Sequence, residues 1–203
     1  MVSRILTVVG GVLVLLVSTL AVGSLPASAA TCDGVAIPCS IGDTGPGGGI
    51  VFYDAGTAET GGRYMEIAPQ GWSGKVRDPL RPLCPRKKDG YWTVFPSGTE
   101  LGDGEVNTRR IAKKCGKKSA ASLAQKYRGG GKKDWFLPSD AEFVMAVAML
   151  ELRAGLAGTW FWTSSQGSDI PNTAIRMRNS GWSMYGYKDN RFRVRPIRAF
   201  GTG

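Results

Sequence analysis

Paired basic residues crowd the middle third of the chain: Arg86-Lys87-Lys88, Arg109-Arg110, Lys113-Lys114, Lys117-Lys118 and Lys132-Lys133. Guanidinium forks and ammonium point charges at that density suit sulfate, phosphate and carboxylate groups. A solvated basic face that only aids solubility is the plainer account of the same clusters. Aromatic residues supply a second kind of chemistry. Trp72, Tyr91, Trp92, Trp182, Tyr185 and Tyr187 lie in stretches rich in Gly, Ser and Asp, where a rigid ring is free to stack on a sugar. Trp135 and Trp162, with Phe136 and Phe161, read instead as core, because aromatic side chains dominate the buried area of small domains. The candidate ligand-binding set is therefore the paired cations together with Trp92, Trp182 and Tyr185.

Catalysis has little to work with. The chain contains no histidine, which removes a Ser-His-Asp triad, a Cys-His pair, histidine-ligated zinc and a histidine general base. What is left is a pair of carboxylates of the glycosidase kind or a free cysteine nucleophile of depressed pKa. Asp140 and Glu142 are two positions apart, a spacing that does not bring side chains face to face on a helix, and a capping role explains both. Gly129-Gly130-Gly131-Lys132-Lys133 lacks the spacing and closing Ser or Thr of a phosphate cradle; it reads as a helix stop followed by a basic loop. The stretch from Gly42 to Gly47 holds two collagen-like triplets, too few for a triple helix, and reads as a turn. Neither a metal nor a cofactor is expected.

The N-terminus points to export. Arg4 gives a positive start, Ile5 to Val22 is an apolar run, and Ala27-Ser28-Ala29 supplies the small residues of a cleavage site. Residues 1–29 are expected to be a signal peptide, with an uncleaved membrane anchor as the alternative. The 174 residues left of 203 suit a single domain with a core of its own, spanning 30–203. Without Arg4 the chain carries 25 basic and 16 acidic residues, a formal +9, enough to concentrate polyanions from a distance. Nucleic acid would answer to the same charge, but export argues against it.

Four cysteines in an exported chain argue for disulfides. Three connectivities are open; Cys32 with Cys39 and Cys84 with Cys115 is preferred, because the first two are close in sequence and the latter two flank the segment before the first helices. No Cys-x-x-Cys pair occurs, so zinc-ribbon and thioredoxin-like arrangements fall away.

The elements that must position these residues read as a mixed α+β domain. Ile50 to Tyr53 and Arg63 to Ala68 are β-branched and aromatic runs around a turn-rich segment, and predict a hairpin. Asn107 or Thr108 is expected to cap a helix running to about Lys114. Ser119 is expected to cap a second helix ending at Arg128, with Gly129 as its breaker. Ser139-Asp140-Ala141-Glu142 is a capping box ahead of a buried helix through the apolar Phe143 to Leu152. Strands are expected at Thr159 to Ser164, Ala174 to Arg178 and Arg191 to Arg198. Alternation in Ile175 to Arg178 and Phe192 to Arg195 predicts arginines on one strand face, with ion pairing a further use for Arg195 and Arg198. Gly71 to Val106 lacks periodicity, which predicts a functional or disulfide-pinned loop and a candidate binding surface.

Four stretches in sequence carry a family resemblance: Ile41-Gly42-Asp43-Thr44-Gly45-Pro46-Gly47-Gly48-Gly49-Ile50-Val51-Phe52-Tyr53, Asp134-Trp135-Phe136-Leu137-Pro138-Ser139, Trp162-Thr163-Ser164-Ser165 and Val194-Arg195-Pro196-Ile197-Arg198-Ala199-Phe200. Their order resembles the bacterial Lcl C-terminal domain family, whose fold is related to C-type lectins and formylglycine-generating enzymes. The resemblance implies a disulfide-stabilised, C-type-lectin-like α+β fold of antiparallel sheets, two or three short helices and long loops, with both chain ends in one sheet. An adhesin of that family binds sulfated glycosaminoglycans, in agreement with the charge here, but through a molecule with a collagen-like stalk that this chain lacks. The Glu-Pro-Asn and Gln-Pro-Asp tripeptides of calcium-binding lectins are absent. The expected function is a secreted, non-catalytic module for anionic or sulfated polysaccharide at a cell surface. An enzyme of the formylglycine-generating type or a carboxylate-based glycan hydrolase is the alternative.

Overall fold

The computed structural model describes residues 31–57, 62–86, 97–150, 154–156, 158–166, 173–177 and 182–201. In chain order these form β1 (Ile50–Asp54), β2 (Tyr64–Ile67), β3 (Leu80–Pro82), α1 (Asp103–Cys115), α2 (Ala120–Ala124), a 3-10 turn (Gly129–Gly131), α3 (Asp140–Leu150), β4 (Phe161–Trp162), β5 (Thr173–Met177), β6 (Ser183–Tyr187), β7 (Arg191–Arg193) and β8 (Ile197–Phe200). The domain is mixed α+β. The signal-like segment 1–29, Lys87, Lys88, Tyr91, Trp92, Leu152 and Arg178 lie outside the described residues.

The two apolar runs around the turn pair as expected, with Ile50 opposite Ile67 and Asp54 opposite Tyr64. β8 adds to the far side of β2, aligning Ile67 with Ile197 and Tyr64 with Phe200, so the first and last strands share one antiparallel sheet, in the order β1-β2-β8. A second sheet runs β3-β7-β4-β5-β6, antiparallel except for the β4–β7 pairing at Phe161 and Arg193.

Arg191 to Arg198 is therefore two strands. Pro196 has no N–H to give a ladder, and at Val194-Arg195-Pro196 the chain leaves one sheet for the other while the Ala68 N–H donates to the Pro196 carbonyl at 2.9 Å. β7 ends at Arg193, so the alternation expected through Arg195 does not run along one strand; Arg195 is fully buried and held by a buried carboxylate.

α3 begins at its capping box. The Ser139 N–H donates to Glu142 Oε2 at 2.7 Å and the Glu142 N–H to Ser139 Oγ at 3.2 Å. From there Phe143, Ala146, Val147 and Leu150, at helical spacing, join Phe52, Ile67, Phe161 and Ile197 in the main core. Each such side chain buried adds about 1.5–3 kcal/mol of hydrophobic stabilisation. α1 starts one turn earlier than Asn107, at Gly102, which takes a left-handed φ of 90° that glycine adopts at no steric cost. Asn107 and Thr108 lie inside the helix and stitch loops to it. The Asn107 amide bonds both backbone groups of Gly98, and Thr108 Oγ1 accepts from the Leu137 N–H at 2.9 Å. Ser119 does cap α2, accepting the Ser122 N–H at 3.2 Å, but the helix ends at Ala124. α1 and α2 close a second core with Leu83, Leu137, Trp162 and Val194.

Both disulfides follow the preferred pairing, Cys32–Cys39 and Cys84–Cys115. The second spans 31 positions, a loop whose closure is worth about 3 to 4 kcal/mol in the chain-entropy model. It fastens the segment after β3 to the last turn of α1. Among the described residues no helix is long and apolar enough to cross a membrane.

Candidate functional site

The most conspicuous charged groups in the molecule are structural. Glu66 is fully buried in β2, where its carboxylate accepts from the Gly47 N–H at 2.8 Å, the Gly49 N–H at 2.7 Å and Arg198 Nη1 at 2.7 Å. Arg198 turns its other edge to Asp134, with Nε and Nη2 each 2.8 Å from a carboxylate oxygen. Burial pushes the Asp134 carboxyl upward, but the Arg198 fork outweighs it and holds the group below the usual range. Residues from β1's leading glycine turn, from Asp134-Trp135 and from β8 thus meet around one carboxylate, and the glycines are needed there. A Cβ on Gly47 would lie 2.6 Å from the Trp135 ring and 2.7 Å from Glu66 Oε1. Arg195 pairs with Asp78 at 2.6 Å, both side chains almost wholly covered, and its Nη1 donates to the Ala154 carbonyl at 2.6 Å. The ion pairing expected of Arg195 and Arg198 accounts for both.

Solvent-facing charge gathers elsewhere. A cleft of about 400 Å³ is lined by Arg81, Pro82, Pro85, Lys117, Lys118 and Arg191. Four of its six described lining residues are cations, and no described carboxylate lines it or pairs with any of them. Strand pairing sets Arg191 opposite Pro82, and both Arg81 and Arg191 donate to the Leu80 carbonyl at 3.1 Å. The Cys84–Cys115 bridge brings Pro85 beside the α1–α2 connection that carries Lys117 and Lys118. The Lys188 carbonyl accepts the Cys84 N–H at 3.0 Å, tying the same wall to the end of β6. Lys188 itself is buried, with Nζ against Gln166 Oε1 at 2.5 Å, and burial pushes its ammonium down to about 8.

Of the expected cations, Lys117 and Lys118 enter this cleft. Arg109, Arg110, Lys113 and Lys114 stay on the exposed face of α1 that leads to it, with Arg109 paired to Glu105 one turn earlier at 2.5 Å. Arg86 is exposed next to the lining Pro85. Lys132 and Lys133 follow the 3-10 turn and are not among the lining residues; against the upward push of burial, Lys132 adds a smaller share to the pull by which Arg198 holds the Asp134 carboxyl down. Lys87, Lys88 and Trp92 lie outside the described residues. Arg81 and Arg191 were invisible as site residues in sequence, being lone cations 110 positions apart until β3 pairs with β7.

The aromatic candidates divide sharply. Trp135 and Trp162 are buried, as expected of core residues. Trp72 is a correction: it packs on Tyr127 at a ring separation of 5.0 Å and donates from Nε1 to the Val194 carbonyl at 2.9 Å, so its ring is committed to the protein. Trp182, Tyr185 and Tyr187 are 70%, 57% and 55% exposed, but they stand at or on β6, an edge strand that the Gly and Ser content disguised as loop. Beside them a second cleft of about 500 Å³ is lined by Asp140, Ile175, Ser183, Met184 and Tyr185.

All four cysteines are bonded, so no free thiol is present. Among the described residues no group of three or more His, Cys, Asp or Glu is placed to hold a metal ion. No protein-family model matches the chain, and no curated protein is significantly similar to it in sequence.

Proposed function

We propose that the protein is an exported, non-catalytic binding module of the C-type-lectin-like, Lcl C-terminal kind, which holds anionic or sulfated polysaccharide at a cell surface. The observation that carries the reading is the cleft in which Arg81, Lys117, Lys118 and Arg191 converge with no carboxylate among its described lining residues. Cations held within one cleft by a disulfide and a strand pair are preorganised, so little ordering cost opposes binding. The exposed basic face of α1 extends the field beyond the cleft. Two disulfides suit an oxidising compartment. The pairing of every thiol removes the nucleophile a formylglycine-generating activity would use.

Heparin binding across a salt series tests it, with wild type beside the variant R81Q/K117Q/K118Q/R191Q. By analogy with nucleic acids, where each neutralised charge adds about 0.7 to 0.9 to the slope of log affinity against log salt, the variant should lose roughly three from the slope. Unchanged affinity and slope would remove the cleft from the site. Absence of binding by wild type at low salt would reject the polyanion.

A further inference from the structure

The two clefts sit at opposite edges of the five-stranded sheet, the basic one at β3–β7 and the second at β5–β6. Their lining chemistry is also opposite. Among its described lining residues the second has no cation, and Asp140 is their one ionisable group besides the Tyr185 phenol. That carboxylate is fixed: its Oδ1 accepts from Ser183 Oγ at 2.8 Å, and its own backbone N–H donates to Ser165 Oγ at 3.0 Å. No hydrogen bond to its Oδ2 is made by a described residue, and the same cleft is lined by Tyr185 and Ile175, cross-strand partners on β6 and β5.

We propose that this cleft is a subsite for an uncharged hexopyranose, stacked on Tyr185 and donating a hydroxyl to Asp140; the proposal rests on the polysaccharide reading above and names the sugar chemistry of its second contact. A pyranose ring has an apolar C–H face and equatorial hydroxyl donors, which match an exposed tyrosine beside a carboxylate acceptor. A sulfated or carboxylated sugar would bring like charge against Asp140, which partial burial makes costlier. A basic peptide would suit Asp140, but it would be repelled by a protein whose formal charge without Arg4 is +9. Tyr187 lies two residues along the same strand face, about 7 Å on, and offers a ring to the next sugar. Three strand spacings of about 4.8 Å between β7 and β6 put the two clefts roughly 15 Å apart along the sheet. One polymer with charged and uncharged stretches would therefore engage both, and the second contact would form at high effective concentration.

The experiment titrates the full chain with neutral hexasaccharides (of glucose in α and β linkage, of mannose and of N-acetylglucosamine) in about 1 M salt, where the Debye length of about 3 Å silences the basic cleft. Tyrosine ring resonances provide the readout. At least one sugar should bind, Y185A and D140N should each weaken it about tenfold or more, near 1.4 kcal/mol, and R81Q/K117Q/K118Q/R191Q should leave it unchanged. Tyr185 is exposed, so Y185A leaves the core intact. Binding of none of the sugars, full affinity in Y185A, or a preference for a lysine-rich peptide would overturn the subsite. Heparin binding with no neutral sugar bound would sink this proposal alone, whereas sugar binding without heparin binding would sink the polyanion reading alone.

Discussion

The Glu142 carboxylate reaches from its own helix to the start of another: Oε1 accepts the Gly102 N–H at 2.9 Å while Oε2 accepts that of Ser139 at 2.7 Å. One side chain thus satisfies open donors at the beginning of both α1 and α3, where four N–H groups per helix lack internal partners.

Burial pushes the Glu142 carboxyl up to about 7, against the pull of the Ser139, Gly102 and Gly104 donors. The native state therefore binds this proton more tightly than the unfolded chain, whose value is near 4.5, and stability falls as pH rises from about 4.5 to about 7, by an amount of order 3 kcal/mol. Asp54, held low by Arg63, and Asp134, held low by Arg198 against burial, act in the opposite sense, and their contribution is lost as pH falls through their depressed values. Denaturant unfolding should show greatest stability near pH 5. E142Q should flatten most of the decline to pH 7 while costing about 1–2 kcal/mol at pH 5, where one N–H loses its acceptor.

Changing both Cys84 and Cys115 to Ser should lower stability by about 2–4 kcal/mol. Because the bridge holds Pro85 beside the connection that carries Lys117 and Lys118, heparin affinity at low salt should drop as well, in protein that circular dichroism shows to be folded. Retained affinity would mean the wall is held by β3–β7 pairing alone.

Gly47→Ala inserts a methyl group between the Trp135 ring and Glu66, so it should destabilise by about 1–3 kcal/mol through overpacking. Thermal unfolding checks this. Gly48→Ala next door meets no atom within 4 Å, and its cost should come from the left-handed φ of 73° alone.

Arg195→Met leaves the Asp78 carboxylate buried without its partner, at a cost of about 3–5 kcal/mol. Adding Asp78→Leu should recover part of that loss. A double variant as unstable as the sum of the two single ones would show that the pair is not coupled.

Local signals were legible in the chain, and long-range pairings were not. The hairpin at Ile50 to Ala68, the Ser119 cap and the Ser139–Glu142 box are written within a few residues of one another, and the structure keeps all three. The early start of α1 was hidden, because its acceptor is Glu142, 40 positions away. β6 was hidden because Ser183 and Gly186 dilute the strand pattern, and an edge strand needs no continuous apolar face. The basic cleft was half legible: Lys117 and Lys118 stood out as a pair, whereas Arg81 and Arg191 gain meaning from sheet register. Trp72 misled because a half-buried ring, unlike a core one, leaves no periodicity.

The strands that begin and end the described chain both flank β2, and Cys32, Cys39, Tyr64 and Phe200 pack in one cluster beside them. Tension drawn along the backbone from the two sides of the domain is therefore met first by the small sheet, where the Arg63 N–H also holds the Gly201 carbonyl at 2.9 Å. The five-stranded sheet lies off that load path. Pulled by flow or by a moving surface, the domain would keep both clefts in shape until the three-stranded clasp gave way, so the clefts and the mechanical clasp belong to different parts of the same chain.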